Sequence, residues 1–275
     1  MKILVTGARG RVGRHLVQQL VEAGYDVRVL TRDPDSATFP DGVEVIKGDL
    51  TMPETLEQSL EGVSGLHLIK FGGHDYAPLQ TGHEIMAMAE KAGVQRVTVL
   101  MGGERGDFEE AVEASSLAWT FLVPVEFMTG ALDWAASIRD EGVVREAFAD
   151  RKTAIVHEAD IAAVAVVALT QDGHGGQTYT ITGPEVQTPR QMVRIIASVL
   201  ERNIPFIELT PEQAVEKWRS EGLPQEVIDF FLWVHGNTPP VGYTVTSTVE
   251  EVTGRPAFTF VQWAVENADQ FRSRD

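Results

Sequence analysis

The chain has 275 residues, 43% hydrophobic and 23% charged, so it can bury a core of its own without a disulfide or a structural metal. It contains no cysteine, which excludes thiol nucleophiles, zinc–thiolate sites and disulfide switching. A formal net charge of -17 with no offsetting basic run argues against nucleic acid and anionic membrane as partners.

Met1 and Lys2 lead directly into Ile3-Leu4-Val5, an apolar run too short for a signal peptide, and the expectation is a cytoplasmic protein. That run reads as a first strand. Val12, Leu16, Val17, Leu20 and Val21 then recur at helical spacing until Gly24. Val27 to Leu30 and Val43 to Ile46 predict the second and third strands. A helix marked by Leu56 and Leu60 follows Thr51 and Pro53, and Leu66 to Ile69 predict a fourth strand that runs into a glycine-containing loop over residues 71–76. A helix over 82–92, a fifth strand at Val97 to Leu100, a helix over 109–114 and a sixth strand at Trp119 to Val123 complete an alternating series, which predicts a parallel sheet.

Beyond Met128 the pattern loosens. A helix over 131–138, a strand over 152–156, an apolar helix over 161–169 capped by Asp160, and a strand at Tyr179-Thr180-Ile181 are expected. Thr188-Pro189 and Thr210-Pro211 each place a cap before a first-turn proline, and further helices are expected over 224–235 and 259–271. The expected fold class is α/β: a Rossmann-type parallel sheet with helices on both faces and a smaller helix-rich substrate lobe. Residues 1–128, completed by about 153–183, are assigned to the nucleotide-binding lobe; 129–152 and 184–275 form the covering lobe of one compact unit.

The most informative stretch is Thr6-Gly7-Ala8-Arg9-Gly10-Arg11-Val12-Gly13, where three glycines separate a strand from a helix. Gly7 permits a tight turn, Gly10 lets backbone approach a pyrophosphate, and Gly13 allows close packing of a helix whose free amides attract anions. The second strand ends at Arg32, where an NAD-binding chain usually offers a carboxylate to the ribose, so a 2'-phosphate and hence NADP(H) is expected. Arg9 and Arg11 are candidates for the same phosphate or for solvent. Asp49 and Leu50, after the third strand, are placed for adenine, and a plain strand-end turn is the alternative. Lys70, Phe71 and Gly72, after the fourth, are placed for the nicotinamide half; Lys70 either binds the ribose or extends into solvent.

These features resemble the NmrA-like atypical short-chain dehydrogenase/reductase family. They are joined by Trp119-Thr120-Phe121-Leu122-Val123-Pro124, His157-Glu158-Ala159-Asp160-Ile161-Ala162, Tyr179-Thr180-Ile181-Thr182-Gly183 and Val249-Glu250-Glu251-Val252-Thr253-Gly254-Arg255-Pro256. The loop Phe71-Gly72-Gly73-His74-Asp75-Tyr76 is similar to that of relatives acting in aromatic polyketide antibiotic biosynthesis. The resemblance implies NADP(H) held between two lobes. It implies no single activity, since the family includes quinone, azo and polyketide reductases as well as non-catalytic redox sensors. The family's wider superfamily uses a tyrosine with a lysine four residues on, and none of Tyr25, Tyr76, Tyr179 and Tyr243 has that lysine. Val123 stands where many relatives carry arginine.

Hydride transfer needs an acceptor held against the nicotinamide, and a quinone yields an anion that a modest donor protonates. His74 and Tyr76 are the expected catalytic pair, as proton donor and as hydroxyl on a flat ring, or else anchors of their loop. Met101, Gly102, Glu126 and Phe127 are expected to line the acceptor pocket. No metal-ligand spacing or nucleophile turn is present. The expected function is therefore an NADPH-dependent reductase of a quinone-like small aromatic substrate, compatible with a homo-oligomer; the alternative is a non-catalytic NADP(H) sensor or scaffold.

Overall fold

The computed structural model describes residues 1–36, 38–73, 77–102 and 105–272. The chain divides into two compact units, the first comprising Met1–Pro124, Glu158–Ile181 and Thr248–Arg255, the second Val125–His157, Thr182–Ser247 and Pro256–Asp275. Compared with the sequence-based division, residues 125–128 and 153–157 group with the second unit and the helix Thr248–Thr253 with the first. The reason for the last is an ion pair: Arg255 Nη1 lies 2.7 Å from Oδ1 of Asp160, which is fully buried in the first unit.

The first unit is built on β1 (Lys2–Val5), β2 (Asp26–Thr31), β3 (Glu44–Lys47), β4 (Val63–Ile69), β5 (Arg96–Leu100), β6 (Ala118–Pro124) and β7 (Gln177–Ile181). They form one sheet in the order β7-β6-β5-β4-β1-β2-β3, every pairing parallel. Successive strands step outward from β1 in one direction and from β4 in the other. The carboxyl ends of β1 and β4 therefore flank the point where strand order reverses, which is where open parallel sheets bind ligands.

Alternation along the strands supplies two apolar faces. Leu4, Leu30, Leu66, Leu68, Val97, Val99 and Phe121 join one core with Leu60, Ile85, Met86, Ala89, Phe108 and Val112 from the helices on that side. On the other side a side chain at Gly65 would meet Ile3 and Leu169, which places the helix Glu158–Thr170 there. That helix is apolar nearly all round, as burial on several sides requires. Asp160 is not its cap but lies inside its first turn, where the charge is buried and paired with Arg255.

In the second unit a parallel pair, Val144–Ala147 with Phe206–Leu209, joins strands far apart in sequence. Neither strand is predicted from local pattern. The expected strand over 152–156 reduces to single bridges, Thr153 to Gln187 and Phe127 to Val156, because its neighbours in space run with it for only one residue. The helix expected over 131–138 is a tight 3-10 segment, Met128–Trp134, followed by Ala135–Asp140. The last helix breaks at Asn267 into Phe260–Glu266 and Ala268–Phe271. The core here is aromatic: Phe260 stacks on Trp263 at 5.2 Å, with Phe271 edge-on to the same indole. Among the described residues no helix is long and apolar enough to cross a membrane.

Candidate active site

The turn after β1 is fixed by its own backbone. Gly7 has φ +62, and a Cβ there would lie 2.8 Å from the side chain of Ile69. The amide of Gly10 donates to Gly7 O at 2.8 Å, and a Cβ on Gly13 would lie 2.2 Å from that same carbonyl. Gly13 thus permits contact between the helix and the turn rather than between the helix and the sheet. Thr6 is buried, and its hydroxyl accepts from the Ile69 amide at 3.0 Å, so its side chain ties the ends of β1 and β4 together. Val12 is buried beneath the turn. Among the described residues the amides of Arg11 and Val12 make no hydrogen bond. Free amides at the start of the helix Gly13–Glu22, over a backbone with no room for side chains, fit a pyrophosphate.

Arg32 is exposed just past the end of β2, and its Nη1 donates to Gly73 O at 2.5 Å. Arg9 Nη1 donates to Ser36 Oγ at 3.0 Å. A hydrogen bond from Ser36, with Arg9 close by, holds the Asp33 carboxyl below its ordinary range. The Arg32 guanidinium thus reaches the segment after β4, and the Arg9 guanidinium reaches the segment after β2. Asp33 and Ser36 lie within four residues of Arg32, but no local motif marks them. The Arg11 side chain is exposed and makes no hydrogen bond or ion pair among the described residues.

Asp49 Oδ1 accepts from the Thr51 amide at 2.9 Å and the Thr51 hydroxyl at 2.8 Å, so its side chain shapes the strand-end turn. Leu50 is buried in the core, and its carbonyl accepts from Thr81 Oγ1. Lys70 does not extend into solvent. It is 3% exposed and pairs at 2.7 Å with Glu109, itself 1% exposed, a residue not singled out from sequence. Glu109 also accepts from the Gly106 amide, capping the helix Asp107–Ala114. One buried carboxylate therefore holds both Lys70, just past β4, and Gly106, at the start of the following helix. The Gly106-x-x-Glu109 capping pattern was the available signal, but nothing local marked Glu109 as buried.

Phe71 and Gly72 pair antiparallel with Pro78 and Ala77, closed by the Leu79 amide donating to Lys70 O at 2.8 Å. A Cβ on Gly102 would touch the Phe71 ring at 3.3 Å, so the segments after β4 and β5 abut. Met101 continues β5, its amide donating to Leu122 O, and packs against the core. His74 and Tyr76 lie outside the described residues. Glu126 and Phe127 belong to the second unit, where Arg151 grips Glu126 through two bonds of 2.8 and 2.9 Å. Burial alone would raise the Glu126 carboxyl, but Arg151 prevails and holds it below its ordinary range. In the same unit burial and the charge of Arg151 push His235, stacked on Phe231, down to about 4.

Residues 7–104 match a family model described as NAD(P)H-binding. The chain is 37% identical to the (4-alkanoyl-5-oxo-2,5-dihydrofuran-3-yl)methyl phosphate reductase of Streptomyces griseus, over 98% of this chain and 99% of that protein. It is 31% identical to the NAD(P)H azoreductase of Xenophilus azovorans, again over 98% and 99%. Among solved structures, an Escherichia coli NADPH-dependent quinone oxidoreductase complexed with NADPH superposes with a TM-score of 0.79 at 22% identity, covering 96% of this chain and 99% of the other. NmrA, a negative transcriptional regulator solved with NADP, gives 0.74 at 16% identity over 96% and 94%. The glycine turn, the seven-stranded parallel sheet and these full-length relationships place the chain in one NAD(P)H-binding family with the Streptomyces and Xenophilus reductases, and NmrA shares its fold.

Proposed function

We propose that this chain is an NADPH-dependent reductase of conjugated acceptors, with a quinone-like aromatic as its substrate. The observation that carries the reading is the exposed Arg32 just past β2, with Arg9 held beside the same edge by Ser36. A guanidinium at the end of β2, with a second carried by the glycine turn, suits a 2'-phosphate and gives a bare ribose hydroxyl no acceptor. The cofactor, when bound, supplies a hydride. The free amides of Arg11 and Val12 would hold its pyrophosphate over the turn around Gly7.

The acceptor class is supported by what the relatives are named for. An azo compound, a quinone and a dihydrofuranone whose ring alkene is conjugated to two carbonyls share one property. Each yields a delocalised anion on accepting hydride, so protonation needs no strongly activated acid. A chain without the tyrosine–lysine spacing suits such acceptors, and a polyketide-derived quinone satisfies the same chemistry. His74 and Tyr76 are the donors proposed for that proton.

The test is a survey of NADPH consumption across quinones, azo compounds and unsaturated lactones, joined to binding titrations. NADPH is expected to bind about tenfold or more tightly than NADH, since a charge-assisted hydrogen bond contributes roughly 1.5 to 3 kcal/mol. Arg32→Ala removes most of that difference. Equal affinities defeat the NADPH assignment, and failure of every acceptor to consume NADPH replaces the reductase by a cofactor sensor.

A further inference from the structure

The segment that follows β4 is anchored unequally. Its base is buried: Lys70 is locked to Glu109, the Leu79 amide closes on Lys70 O, and Phe71 rests against Gly102. A side chain at Gly72 would meet Leu79 at 2.5 Å and Thr51 at 3.0 Å, so this base is closely packed. Its far end is held differently. Gly73, at φ +70, presents its carbonyl to the exposed guanidinium of Arg32, which arrives from the other half of the sheet. Arg32 is the same side chain proposed above to receive the cofactor's 2'-phosphate. A neutral carbonyl and a phosphate dianion are unequal acceptors, charge-assisted bonds being about twice as strong as neutral ones.

We infer that Arg32 is a tether as well as a phosphate ligand: it holds the Phe71–Gly72 and Ala77–Pro78 strand pair through the Gly73 carbonyl, and the 2'-phosphate of NADPH takes that guanidinium away. Phosphorylated cofactor then loosens this strand pair, whereas NADH leaves it tied. The two nicotinamide cofactors would differ in the state of that pair as well as in affinity. This rests on the proposed 2'-phosphate contact, and the experiment separates the two.

Adenosine 2',5'-bisphosphate and adenosine 5'-monophosphate serve as probes, because both occupy only the adenosine half and leave the nicotinamide region empty. Titration of each gives the phosphate contact. Amide hydrogen exchange at saturation, read on peptides covering residues 69–81, gives the tether. The expected result is exchange about three- to tenfold faster with the bisphosphate than with the monophosphate, the loss of one hydrogen bond of ordinary net strength. Arg32→Ala, a change at an exposed position, should exchange as fast without ligand as the parent does with bisphosphate, and should no longer respond. Unchanged or slower exchange with a bisphosphate that binds more tightly overturns the tether and leaves the phosphate contact standing. Equal binding of the two probes overturns both.

Discussion

Each unit of this protein contains an ion pair and a neutral imidazole, and the two units treat them differently. In the first, Lys70 and Glu109 are 3% and 1% exposed, and His67 is buried in β4 with its Nδ1 2.8 Å from Thr98 Oγ1. In the second, Arg151 and Glu126 are 11% and 37% exposed, and His235 is only half-buried against an aromatic ring. A buried pair stabilises little in itself but punishes the loss of either partner, whereas water can take over from a partner that is partly exposed. The contrast suggests that the first unit fixes its ligand edge with charge it cannot release, and that the second keeps its charge available.

The strongest test of that contrast is Lys70→Met, which strands a buried carboxylate and should cost about 3 to 5 kcal/mol in urea unfolding. Adding Glu109→Gln, which keeps the helix cap, should recover most of the loss. Were Lys70 a ribose ligand instead, cofactor affinity would fall while stability held.

Acidification gives the next largest effect. Burial pushes His67 down to about 4, below its unfolded value of about 6.5, so the unfolded chain binds more protons between those limits. Stability is complete above pH ~6.5 and falls as the pH drops toward ~4, by up to about 3 kcal/mol from this residue. His235 contributes with the same sign. Unfolding measured across that range for the parent and for His67→Gln should show a flatter profile in the variant, and parallel profiles would reject the buried neutral imidazole.

The smallest effect sharpens the comparison from the other side. Arg151→Met should cost only about 1 to 2 kcal/mol, because the partly exposed Glu126 can hydrate when its partner is removed. A loss equal to that of Lys70→Met would erase the distinction between the units. If acceptor turnover falls while NADPH affinity holds, Glu126 gains support as part of the acceptor pocket.

Wherever neighbouring residues fix the outcome, the sequence alone was enough. The glycine turn is legible because Gly7 answers to its own left-handed φ and Gly13 to the Gly7 carbonyl six residues away, and the parallel sheet because buried strands and amphipathic helices alternate with their own periods. Arg32 is legible because a strand end exposes whatever follows it. Tertiary structure decided the rest. Nothing near Lys70 announces Glu109, nothing near Asp160 announces Arg255, and Val144–Ala147 becomes a strand only beside Phe206–Leu209. A charge inside a protein must find an opposite partner, and a short strand must find an edge, wherever the chain happens to bring one. That requirement acts through space, so local pattern carries no record of it.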